Sequence, residues 1–152
     1  MPETPITQVV NILSASIAPV IVISGVGLLL LSMTNRYSRV LERARELVKE
    51  LAAADESARR SLVIEELQIT YRRARILRLA IILSSVSILF VGLTVFSLFA
   101  AQLLGARGDY VSIPSFGVSL MALIGSLYFF IRDVSISLTA LELEISSYIK
   151  RS

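Results

Sequence analysis

Apolar positions along the chain fall into three long uncharged runs, separated by one charged block and one short polar break. The first run covers about 12–33, and no charged side chain occurs between Glu3 and Arg36. The second covers about 79–104 and the third about 114–131, ending before Arg132 and Asp133. A helix crossing a bilayer needs roughly 20 mostly apolar residues at about 1.5 Å each. All three runs qualify; the shortest still reaches about 27 Å. The pattern predicts an all-α integral-membrane protein with three transmembrane helices, forming one membrane domain over 1–152. Pro114 suits the first turn of the third helix, where its missing N–H costs nothing.

The charged block 35–78 also carries helical spacing. Tyr37, Val40/Leu41, Ala44, Leu47/Val48 and Leu51 recur at three to four residues, and so do Val63/Ile64, Leu67, Tyr71, Ala74 and Leu77. Neither arm contains Gly or Pro, and Ala54-Asp55-Glu56-Ser57 supplies a turn with Asp55 or Ser57 as N-cap. We expect an antiparallel helical hairpin whose arms run unbroken into the flanking spans. Two helices of this length are marginal in water alone, so the uncovered apolar surface favours packing between several copies. The tail 133–151 fits both periods; with no breaker after Ile131, a helix extending the third span is expected.

Charge sets the orientation. Of the 15 Lys and Arg, all but Arg107 lie in the hairpin or after the third span. The positive-inside bias then places the N-terminus outside and the C-terminus in the cytoplasm. The opening MPETPITQ lacks the positive segment of a signal peptide, so the first run reads as an uncleaved anchor. The net charge of +3 sits beside the membrane runs, and no nucleic-acid partner is inferred from it. The bilayer is the partner, with anionic lipids the candidates for Arg72, Arg73, Arg75 and Arg78, which can snorkel to head groups.

The chain has no Cys and no His, which removes thiolate chemistry, the commonest general base and the commonest metal ligand. No Asp, Glu, Lys, Arg or His lies inside a run, which argues against proton-coupled transport. Glu65-Glu66 and Glu42/Glu46 read as surface carboxylates paired with Arg on the same helix. Neither an enzyme, a cofactor nor a metal site is expected.

On a wheel at 100° per residue, Asn11, Ser14, Ala18, Gly25 and Ser32 share one face of the first helix, which Arg36, Arg39 and Arg43 continue. Such a stripe is either a helix-packing face or the lining of a pore in a homo-oligomer, with arginines at its cytosolic mouth. Glu46 and Glu50 follow on nearly the same face and could neutralise those arginines. Pro19 marks a bend or a gate. Ser84, Ser87 and Thr94, and likewise Ser119, Ala122 and Ser126, read as contacts between helices.

Ile17-Ala18-Pro19, Thr34-Asn35-Arg36-Tyr37-Ser38-Arg39, Arg43-Ala44-Arg45, Arg72-Arg73-Ala74-Arg75 and Leu138-Thr139-Ala140-Leu141-Glu142 together resemble the domain of unknown function 2721 family of small bacterial membrane proteins. The resemblance implies a bacterial inner membrane and no particular activity. The best expectation is a channel or pore lined by the first helix. The alternative is a non-conducting scaffold or regulatory anchor whose hairpin binds an unidentified protein.

Overall fold

A computed structural model describes residues 5–53, 57–104 and 109–149, with side-chain surroundings given for 17, 20–53, 57, 59–101 and 110–137. Over these residues the chain is entirely helical: α1 (Pro5–Ala53), α2 (Ser57–Leu104) and α3 (Asp109–Ile149). Each is long and apolar enough to cross a membrane. The absence of Gly and Pro from 35–78 lets α1 and α2 continue through the charged block as single helices. α3 begins at Asp109, five residues before Pro114, so Pro114 lies inside it. The proline leaves the Tyr110 carbonyl without its helical donor, close to the helix start where few bonds are at stake.

Contacts divide the chain into two units to which all three helices contribute. Among the described residues, the unit formed by 1–31 and 83–125 buries few apolar side chains: Val26, Val91 and Ala122. Its interior is otherwise hydroxylated, with Ser84, Ser87, Thr94, Ser112, Ser115 and Ser119 all buried. Leu28, Leu89, Phe96, Phe99, Ile113 and Met121 are exposed on its surface. This arrangement suits an apolar surrounding. Lipid gives no hydrophobic reward for burying Leu, so helices approach through small residues and interhelical hydrogen bonds. The Ser97 and Ser112 hydroxyls make such a bond between α2 and α3 at 2.9 Å.

The second unit, 32–82 with 126–152, buries Met33, Val40, Leu47, Val63, Ala74, Ile76, Leu77 and Ala80. Tyr37 and Phe130 pack on the Val40–Ala74–Leu77 cluster. This is the burial expected of helices in water, where it is worth about 25 cal/mol per Å². Where the three helices meet, the Ser126 hydroxyl donates to the Ala80 carbonyl at 2.8 Å and lies 3.8 Å from the Met33 sulfur. Bonding to a main-chain carbonyl leaves the hydroxyl satisfied and the helices close.

In both units the buried positions step by sevens. Met33, Val40 and Leu47 do so on α1, Val63, Thr70 and Leu77 on α2, and Ser126 and Asp133 on α3. Ser84 and Val91, and Ser112 and Ser119, repeat the step in the first unit. A seven-residue repeat is the signature of side chains interlocking along neighbouring helices.

Candidate functional site

The seven-residue step on α3 leads to an acidic side chain. Asp133 is 0% exposed. Its Oδ2 lies 3.2 Å from the Arg36 guanidinium of α1, and its Oδ1 lies 3.6 Å from Nε of Arg73 on α2. Neither carboxylate oxygen nor Arg73 Nε makes a well-aligned hydrogen bond, so the attraction is carried by charge. Both guanidiniums donate to the Ser137 hydroxyl, one turn further along α3, which itself donates to the Asp133 carbonyl. Arg36 also sits over the Phe130 ring, 5.6 Å from its centroid, a cation–π contact. One carboxylate thus holds an arginine from each of the other two helices. The arginines keep 28% and 26% of their side-chain surface, so the carboxylate bears most of the desolvation cost.

A second cluster lies on the α1–α2 arms. Arg43 binds Glu66 of α2 at 2.8 Å and its own helix's Glu46 and Glu50 at 3.3 and 3.5 Å. The hydrogen bond to Glu66, then that to Glu46, raises the Arg43 pKa above its ordinary value. All four side chains are largely solvated, so each pair contributes only about 0.5 kcal/mol.

The residues of the expected α1 stripe part company. Gly25 and Ser32 are exposed, and no atom approaches within 4 Å of where a Gly25 Cβ would lie. Arg36 turns inward to Asp133, Arg43 is held by three glutamates, and Arg39 is exposed. Asn11, Ser14, Ala18 and Pro19 belong to α1, but their side chains, and any bend at Pro19, lie outside the described residues. Of the four arginines leading into the second apolar run, Arg73 joins the Asp133 cluster. Arg72, Arg75 and Arg78 are exposed.

Sequence reasoning passed over Asp133, reading it as the polar boundary of the third run. One signal was available: at the three run ends nearest the basic residues (33, 79 and 131) it is the single acid within seven residues, among Arg36, Arg72, Arg73 and Arg132. Among the described residues no three acidic side chains come together in a way that could hold a metal ion.

A groove of about 770 Å³ opens between the two hairpin arms, lined by Leu41, Ala44, Val48, Leu67 and Tyr71. Three smaller notches of about 310, 270 and 220 Å³ open beside the Asp133 cluster, the first lined by Arg36, Arg39, Val40 and Arg73 and the second by Ile69, Arg72, Arg73, Arg132 and Ile136. Thr70 and Arg43 join the wall of the third.

Residues 16–143 match the family described as protein of unknown function (DUF2721). No curated protein and no solved structure matches the chain.

Proposed function

We propose a function from residues and geometry, because the chain belongs to the DUF2721 family of proteins of unknown function. In our reading the protein is a non-enzymatic homo-oligomer of a bacterial inner membrane, N-terminus outside and C-terminus in the cytoplasm. It forms a channel lined by α1. One observation carries the reading. Ser84, Ser87, Thr94, Ser112, Ser115 and Ser119 are buried inside a single chain, whereas Gly25 and Ser32 on α1 face outward. Three helices of one chain enclose no pathway, so this face gains a role when copies gather around an axis. The inner mouth stays positive on this reading: Glu66 holds Arg43, but Arg36 shares Asp133 with Arg73 and Arg39 is exposed. A preference for anions is therefore expected.

Single-channel recording of the purified chain in planar bilayers tests this. The expected result is a conductance that falls when Ser32→Cys is modified by a charged thiol reagent. The chain's lack of native Cys makes that modification specific. No current above that of protein-free bilayers, across pH, voltage, tension and common ions, would overturn the channel.

The apolar groove between the hairpin arms favours a second reading, a scaffold that docks a protein partner. Crosslinking in cells from a photoreactive residue at Val48 would then recover a different protein. Recovery of self-contacts alone would remove this reading.

A further inference from the structure

We propose that the Arg36–Arg39–Arg73 notch is a binding site for a phosphate group at the cytosolic face of the membrane. The proposal rests on the membrane placement of the chain and not on its conducting. The first argument is charge. Arg36 and Arg73 share the single carboxylate of Asp133, so the three side chains carry a net positive charge. Arg39 adds a second, since no acid among the described residues pairs with it. Arg43, on the outer wall, is already neutralised by its glutamates. The notch therefore keeps an unbalanced positive charge.

The second argument is donors. Thr70 is 9% exposed and lines the adjoining notch, which shares Arg39, Val40 and Arg73 with this one. Arg73 Nε is buried and makes no hydrogen bond, and it faces Asp133 Oδ1 at 3.6 Å. A phosphate oxygen can accept from a hydroxyl and from guanidinium forks together. The third argument is position. Arg36 follows the first apolar run by three residues, and Arg73 precedes the second by six. These positions put the notch where lipid phosphates lie, although a free phosphate from the cytosol offers the same chemistry.

The full chain in nanodiscs separates the sources. Retention of phosphatidylglycerol against phosphatidylcholine is measured by native mass spectrometry, and binding of inorganic phosphate by calorimetry. Three proteins are compared: wild type, Arg39→Gln, and Arg60→Gln as an equally exposed arginine on the hairpin, away from the notch. Thr70→Val supplies a charge-neutral variant. The expected result is preferential retention of phosphatidylglycerol, reduced about tenfold by Arg39→Gln, reduced less by Thr70→Val and unchanged by Arg60→Gln. The same pattern with inorganic phosphate, and none with the lipid, supports the site and assigns a soluble source. Two results would overturn the site: equal losses in Arg39→Gln and Arg60→Gln, which mark diffuse surface charge, or no preference for either phosphate probe.

Discussion

Asp133 is costly to bury and useful only while its partners stay. Charge holds it against two arginines on different helices, with no well-aligned hydrogen bond to its carboxylate oxygens. Removing one member of a buried pair is destabilising because the rest stays desolvated. Asp133→Asn keeps the shape and removes the charge, so Arg36 and Arg73 face each other across Ser137. We expect it to cost about 3 kcal/mol, the low end for such pairs because both arginines are partly solvated. Unfolding of the purified protein in mixed micelles reads this directly. Arg36→Gln combined with Asp133→Asn should cost less than the sum of the single changes, since each alone strands a charge. Additive losses would mean that the carboxylate and Arg36 do not interact.

At the scale of the helix, the seven-residue step explains what a single sequence yields and where it stops. Local periodicity made the three helices legible, and so was the packing role of Ser84, Ser87, Thr94, Ser119, Ala122 and Ser126, all buried. The inward face of α1 was not. Gly25, Ser32 and Arg39 are themselves seven apart, one residue before the buried Val26, Met33 and Val40. Two adjacent stripes with the same repeat differ only in which one the other helices cover, and that is decided by partners distant in sequence. Arg36 and Asp133 are joined across 97 residues, a pairing no local spacing encodes. The exposed stripe makes its own prediction. A Cβ at Gly25 meets nothing within 4 Å in one copy, so Gly25→Leu should leave the single chain as stable or, through helix propensity, up to about 1 kcal/mol more stable. If copies pack or line a pathway through this face, the same change shifts the oligomer toward smaller species. Sedimentation in detergent, beside thermal unfolding, separates the two effects. An unchanged oligomer would move the interface elsewhere on the chain.

The whole molecule divides its interior by chemistry. One unit hides hydroxyls beneath exposed Leu and Phe, and the other hides Met33, Leu47 and Leu77 and carries the charged block, with some apolar side chains also exposed. Those are the opposite burial logics of lipid and water. The water-like unit contains the hairpin with eleven of the basic residues and the start of the tail, and so it should be the cytoplasmic one. The same assignment puts Tyr110, at the opening of α3, on the outer side. Because the chain has no Cys, single introduced cysteines report sidedness without background. Tyr110→Cys and Ser57→Cys both replace exposed side chains, so neither is expected to disturb the fold. In intact cells a membrane-impermeant thiol reagent should label Tyr110→Cys at once and Ser57→Cys only after permeabilisation. The reverse pattern would invert the chain. It would place the notch formed by Arg36, Arg39 and Arg73 at the outer surface, and the phosphate proposed for it would then have to come from the outer leaflet.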